Sequence, residues 1–242
     1  MPLKKQVLIV CKTTAGQIYL GVLLNRIWFS PILAKTAEEA VRIAWAGQCS
    51  LILFDAEMPE IELRPALAML KAEPALKNVP LVVFMTADRP ELSESLLAQG
   101  CAAVLTKPLD LAIVYGVLGR LSGQQRNTHR VGVKVRVDVE IGEGIPEKTL
   151  TSVNISEGGL YLRTADPLPG GTVLHVTFTL PHDTEVIALT AEVVRSLPLG
   201  QQLESEPGMG LRFTDIGERD LARVRNFVQW ETMGDLEWEA GI

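Results

Sequence analysis

Asn154-Ile155-Ser156-Glu157-Gly158-Gly159 is the stretch that decides how the carboxyl-terminal half of this sequence folds. The alternating, β-branched run Thr149 to Ile155 leads into it and a second alternation, Leu160 to Thr164, leads out, so a polar turn with two glycines joins two strands. Such a turn presents backbone amides at the mouth of a sheet. Gly158 and Gly159 permit positive φ and close approach of a ligand to the backbone, Asn154 supplies a donor and an acceptor, and Ser156 a rotatable hydroxyl. Upstream, Arg126-Asn127-Thr128-His129-Arg130 closes a polar segment that starts at Ser122 and precedes the strand-like run Val131 to Ile141. Its two guanidinium forks can pair bidentately with phosphate, pair with the O6/N7 edge of guanine and stack on a purine face, a combination lysine does not offer. Together these residue types ask for an anionic, purine-bearing ligand.

Arg-x-x-x-Arg (Arg126, Arg130) followed across a strand pair by Asn-x-Ser-x-x-Gly (Asn154, Ser156, Gly159) resembles the cyclic di-GMP signature of PilZ domains. The resemblance continues through Arg195 and Gly208-Met209-Gly210-Leu211-Arg212-Phe213, about half the chain. It implies cyclic di-GMP as ligand, held by Arg126, Arg130, Asn154, Ser156, Gly158 and Gly159, with Arg195 as a further candidate, and a protein partner in motility or surface machinery. The strand pattern agrees. Val131 to Ile141, Thr149 to Ile155, Leu160 to Thr164, Val173 to Leu180, Val186 to Arg195 and Gly210 to Phe213 alternate apolar and polar residues between turn signals. An antiparallel six-stranded β-barrel is expected, followed by a helix over Gly217 to Gln229 with Leu221, Val224 and Val228 on one stripe, able to cover an open end of the barrel. Trp238 and its acidic neighbours read as a frayed tail.

The first half has a different rhythm. Gln6 to Val10, Ile32 to Lys35, Leu51 to Phe54, Leu81 to Met85 and Ala102 to Leu105 are nearly continuous in aliphatic or aromatic residues, as for strands covered on both faces. Helical patterns fill the intervals: Ala15 to Trp28, Ala37 to Ala46, Glu62 to Lys71, Pro90 to Gln99 and, after the last strand, Leu109 to Leu121. This alternation predicts a doubly wound, parallel five-stranded α/β sheet. Asp55 with Met58-Pro59, Thr86-Ala87 and Lys107-Pro108 stand at the ends of the third, fourth and fifth strands, and in this they resemble the phosphoacceptor, hydroxyl and lysine positions of response-regulator receiver domains. One departure decides the chemistry. The acidic pair that holds magnesium in receivers is here Cys11-Lys12, and a thiol and an ammonium do not suit a hard cation. The position of the receiver's aromatic switch is Val104. A phosphorylation-dead receiver fold is therefore expected, with Asp55 retained as an ion-pair partner of Lys12 and Lys107.

Composition sets the remaining bounds. The 242 residues are 47% hydrophobic and 21% charged, enough for two cores. The expected division is residues 1–121, a linker at 122–130 that carries the arginine motif, and 131–242. Residues 1–121 hold 12 basic against 11 acidic side chains and residues 122–242 hold 11 against 18, net charges of +1 and −7. An acidic second half argues against an extended nucleic-acid surface. No apolar run approaches a membrane span and no signal-peptide pattern opens the sequence, so a cytoplasmic location and no membrane contact are expected. Cys11, Cys49 and Cys101 lack the spacing of a disulfide framework or a zinc cluster, and His129, His175 and His182 that of metal ligands, so no metal is expected. With no nucleophile–base constellation, the expected function is a cyclic di-GMP receptor and adaptor, not an enzyme. Two alternatives stay open: a response regulator driven by phosphorylation of Asp55 with the second domain as output, and a ligand-free docking protein. The oligomeric state is open as well.

Overall fold

The computed structural model describes residues 4–46, 49–57, 60–86, 90–123, 128–142, 145–200 and 206–234. Of the positions singled out above, Met58, Pro59, Ala87, Arg126, Asn127 and Trp238 lie outside these. The chain divides into two compact units, residues 1–127 with 232–242, and residues 128–231.

In the first unit, β1 (Lys5–Val10), β2 (Phe29–Ala34), β3 (Leu51–Asp55), β4 (Leu81–Met85) and β5 (Ala103–Thr106) form a parallel sheet in the order β2-β1-β3-β4-β5. This is the doubly wound order in which ligand chemistry belongs at the carboxyl ends of the strands. Helices α1 (Thr14–Arg26), α2 (Ala37–Ala46), α3 (Glu60–Ala72), α4 (Pro90–Ala98) and α5 (Leu111–Leu121) connect the strands and follow the last. Every residue of β3 and β4 is buried, which is why these strands read as unbroken apolar runs. Thr13 caps α1 by accepting a hydrogen bond from Gly16 N (3.1 Å), and Asp110 caps α5 by accepting one from Ile113 N (3.0 Å).

Several boundaries shift by a residue or more from the expected ones, and two of the shifts have a clear physical cause. Strand β2 starts at Phe29, two residues before Pro31, because it lies at the sheet edge, where a residue without an N–H is tolerated. Helix α1 ends at Arg26, since Trp28 takes a left-handed φ of 69° that the helix cannot continue through.

In the second unit, β6 (Val131–Gly132), β7 (Arg136–Ile141), β8 (Ile145–Ser156), β9 (Gly159–Arg163), β10 (Val173–Phe178), β11 (Ile187–Leu197) and β12 (Gly208–Asp215) are antiparallel. Six of them close a barrel, β8-β7-β10-β11-β12-β9, because β9 pairs with both β12 and β8; the two-residue β6 adds to the outer edge of β8. Leu160, Leu162, Leu174, Val176, Ala191, Val193 and Leu211 fill the interior at alternate positions. The single strand expected over Val131 to Ile141 is two strands. Between them the Ser152 hydroxyl donates to Val133 O (2.6 Å) and accepts from Val135 N (3.0 Å), so a side chain replaces part of the ladder. Helix α6 (Glu218–Met233) outruns its expected end at Gln229, and buries Val224, Phe227 and Val228. Arginines on α6 tie it to two barrel connections, Arg223 to Asp183 (2.6 Å) and Arg225 to Glu157 (3.1 Å).

Closure at the β9–β12 seam depends on two glycines. A Cβ on Gly159 would lie 2.0 Å from Leu211 O, and one on Gly208 would lie 2.1 Å from Leu162 O, both rigid backbone atoms. Gly158, by contrast, has nothing within 4 Å. Gly159→Ala or Gly208→Ala is therefore expected to cost about 3 kcal/mol, the upper range for overpacking, whereas Gly158→Ala leaves stability nearly unchanged. Denaturant midpoints of the three variants check this; equal midpoints for Gly158→Ala and Gly159→Ala would refute it.

Candidate functional site

The carboxyl end of the parallel sheet holds a buried carboxylate. Asp55 closes β3 with 2% of its surface exposed, and Lys107, just after β5, is 5% exposed. Lys107 Nζ donates to Asp55 Oδ1 at 2.7 Å and to Glu57 Oε1 at 3.2 Å. The other carboxylate oxygen, Oδ2, accepts from the Cys11 thiol at 3.2 Å. Burial first, and the Asp55 charge and hydrogen bond second, push the Cys11 thiol up to about 11, so it stays protonated and donates at neutral pH. Both oxygens of Asp55 are thus engaged by fixed donors. Thr86 stands exposed one residue beyond β4.

Lys12 does not take part. Past the end of β1 the buried Cys11 meets Asp55, while Lys12 is exposed and its ammonium lies 3.8 Å from Glu62 Oε2. The expected Lys12–Asp55 pair is therefore replaced by a thiol–carboxylate hydrogen bond, with Lys107 as the cationic partner. The donor set does not fit magnesium: a neutral thiol already bonded to Asp55 and an ammonium 2.7 Å from the same carboxylate stand where oxygen ligands are needed.

The barrel's candidate residues gather along β6, β8 and β9. Arg130, half-buried just before β6, donates from Nη1 to Asn154 Oδ1 at 3.1 Å, and Gly132 on β6 is the cross-strand partner of Asn154. The two halves of the signature described by Arg130 and Asn154 are therefore joined. Ser156 is buried and its hydroxyl donates to Gly159 O (3.2 Å), bracing the turn. Gly158 O accepts from Phe213 N (3.0 Å), which fastens the turn to β12. Neither Gly158 nor Gly159 takes a positive φ, contrary to the expectation; Gly159 is needed because a side chain would strike β12. Arg195 is exposed on β11, opposite Gly210.

Sequence reasoning missed Tyr161. Cross-strand register places Asn154 opposite Tyr161, Tyr161 opposite Gly210 and Gly210 opposite Arg195, one row over β8, β9, β12 and β11. Directly opposed residues share a face, so this row lies on the outside of the barrel. The available signal was the alternation Leu160-Tyr161-Leu162, which turns Tyr161 outward.

Two outcomes follow from this geometry. Asp55 takes up no phosphoryl group from a small phosphodonor with magnesium, as read by intact mass; an adduct that disappears in Asp55→Asn would show that Lys107 and Cys11 do not block the site. His129, buried beside Arg130, is held down to about 4 from 6.5 by desolvation. The unfolded chain takes up that proton near pH 6.5 and the folded chain only near 4, so stability is unaffected above about 6.5 and falls as the pH drops through this window. The loss approaches about 3 kcal/mol. Denaturation of His129→Gln beside the parent between pH 7 and 4 measures it, the gap closing as the parent loses stability.

Among known proteins, the family model described as the PilZ domain matches residues 124–230. No curated protein sequence matches the chain. The Bacillus subtilis inhibitor of motility MotI/DgrA is similar at 25% identity over 46% of this chain with a TM-score of 0.40; the chain spans about half of it, 53%. The signal receiver domain of a histidine kinase from Syntrophus aciditrophicus is similar at 22% identity, covering 53% of this chain and 98% of its own, with a TM-score of 0.44. The chemotaxis response regulator CheY4 of Vibrio cholerae is similar at 20% identity over 49% of this chain and 98% of its own, TM-score 0.44. Strand order β2-β1-β3-β4-β5, with Asp55, Thr86 and Lys107 at the strand ends, makes the amino-terminal half receiver-like, and residues 124–230 match the PilZ domain.

Proposed function

We propose that this protein is a cytoplasmic cyclic di-GMP receptor that works as an adaptor and catalyses nothing itself. The dinucleotide binds through Arg126, Arg130, Asn154, Ser156, Gly158 and Gly159, with Arg195 beside them. The working division is a receiver-like domain at residues 1–121, an arginine-bearing linker at 122–130 and a barrel domain at 131–242. The signal leaves as a changed arrangement of the domains or a changed affinity for a protein partner, of the motility or surface machinery that the family resemblance implies.

The observation that carries this reading is the Arg130–Asn154 hydrogen bond of 3.1 Å, which brings one residue from each half of the signature together before any ligand arrives. A fork bonded to a side-chain amide oxygen is oriented ahead of the ligand. Such preorganisation lowers the entropy cost of binding. Ser156 and Gly159 serve by shape, setting the turn so that its backbone and the Asn154 amide face the ligand. The reading that phosphorylation of Asp55 drives the protein is disfavoured by the Lys107 and Cys11 bonds to that carboxylate.

Titration of the full chain with cyclic di-GMP is the test. Charge-assisted hydrogen bonds contribute about 1.5–3 kcal/mol each, so Arg130→Ala or Arg126→Ala weakens binding roughly tenfold to a hundredfold. Wild-type affinity in both variants would remove the assignment, and no binding by the parent would favour the ligand-free docking protein. The same nucleotide is expected to raise hydrogen-exchange protection over residues 122–132, since bidentate contacts select one conformation of a Gly- and Gln-rich segment.

A further inference from the structure

The outer row that passes through Asn154 contains an aromatic ring laid against bare backbone. Tyr161 lies across β12 where two successive outward positions, Gly208 and Gly210, carry no side chain. A Cβ on Gly208 would meet Tyr161 Cε1 at 2.9 Å, and one on Gly210 would meet Tyr161 Cδ2 at 3.7 Å, so the ring occupies the space those side chains would fill. Its hydroxyl donates to Glu206 O at 2.8 Å, which fixes the ring's far end. Tyr161 remains half-buried, so part of its ring is open to solvent. On one side of the ring in the row is Asn154, bonded to Arg130; on the other is Arg195, exposed, whose charge acts on the Tyr161 phenol. Among the described residues Arg195 has no ion-pair partner, whereas its neighbours Arg163 and Arg212 are paired with Glu206 and Glu192.

We propose that Tyr161 is a stacking platform for one purine of the bound dinucleotide, with Arg195 at its edge to engage the O6/N7 side of that base or a phosphate. This rests on the cyclic di-GMP reading and adds a residue outside the signature. The chemistry is that of aromatic platforms for nucleobases, in which a fixed ring offers a flat face and a guanidinium completes the contact. Gly208 has a second role here: a side chain there would meet the ring at 2.9 Å and push it off β12, whereas Gly210 lies at ordinary contact distance from it.

The experiment is calorimetric titration of the full-length protein with cyclic di-GMP in the parent, Tyr161→Phe, Tyr161→Leu, Arg195→Gln and Arg130→Ala. Tyr161→Phe keeps the π face and loses only the hydroxyl bond, so its affinity stays within about threefold of the parent. Tyr161→Leu covers the same glycines without a π face and loses about tenfold to a hundredfold, the range for one base stacked on an aromatic side chain. Arg195→Gln loses about tenfold. Thermal midpoints without nucleotide separate lost packing from a lost platform, since Tyr161→Phe and Tyr161→Leu should melt alike yet bind differently. If Tyr161→Leu binds as tightly as Tyr161→Phe while Arg130→Ala is weakened, the platform is wrong and the receptor reading stands. If the parent does not bind, both are wrong.

Discussion

The contact on which the barrel turns is one between backbones. Strand β9 must approach β12 so closely at Gly159 that Leu211 O would stand 2.0 Å from any Cβ there. That approach closes six strands into a cylinder, and it is made next to the turn that carries Asn154 and Ser156. Closure and site are thus the same constraint. Ser156 braces the turn from one side, the Phe213 N–H holds it from β12, and Arg225 reaches Glu157 from α6. The candidate site residue Asn154 gains a fixed position from bonds that other residues make.

The receiver-like unit solves a different problem, that of a carboxylate buried at 2% exposure. An isolated buried charge costs several kcal/mol, and removing one partner of a buried pair costs about 3–5 kcal/mol. A metal ion would supply variable compensation, present or absent. Here compensation is built in: an ammonium on one oxygen and a thiol proton on the other. The raised Cys11 thiol is a consequence of the same arrangement, since a thiolate beside Asp55 would be a second buried anion. The strand-end geometry of receiver domains survives, with Lys107 shared between Asp55 and Glu57 as a fixed cation.

Much of this was legible in the sequence, because hydrophobic period and turn chemistry are local. The five parallel strands, the hairpin at Glu157-Gly158 and the helices between the strands follow from neighbouring residues. Where expectation and structure part, the deciding fact was long-range or directional. Pro31 is tolerated because β2 is an edge, which only sheet order reveals. Cys11 and Lys12 are adjacent in sequence but point to opposite sides, and it is the thiol that meets Asp55. Gly159 resembles a turn glycine and is a packing glycine, since the atom it must avoid, Leu211 O, is 52 residues on in the sequence. Tyr161 was invisible for the same reason: its partners Gly208, Gly210 and Arg195 are set by register, not by spacing.

How an acidic half could hold an anion, as proposed, turns on where its arginines are neutralised. Residues 122–242 carry −7, yet Arg163, Arg212, Arg219, Arg223 and Arg225 each face a carboxylate. Those pairs are nearly invisible to a ligand at a distance, because charges farther apart than about 8 Å are largely screened at physiological salt. What a phosphate meets is the local field. Along the row from Asn154 to Arg195 that field includes the Arg195 fork, which has no ion pair among the described residues, and beside Asn154 the Arg130 fork that the amide oxygen orients. Net charge therefore bears on which partners the domain repels and says little about the site. Diffuse polyanions such as nucleic acid meet the acidic surface, while a compact dinucleotide can sit within reach of two guanidinium groups. On the proposed reading, selectivity for a small anion over a large one comes from charge placement on one barrel face.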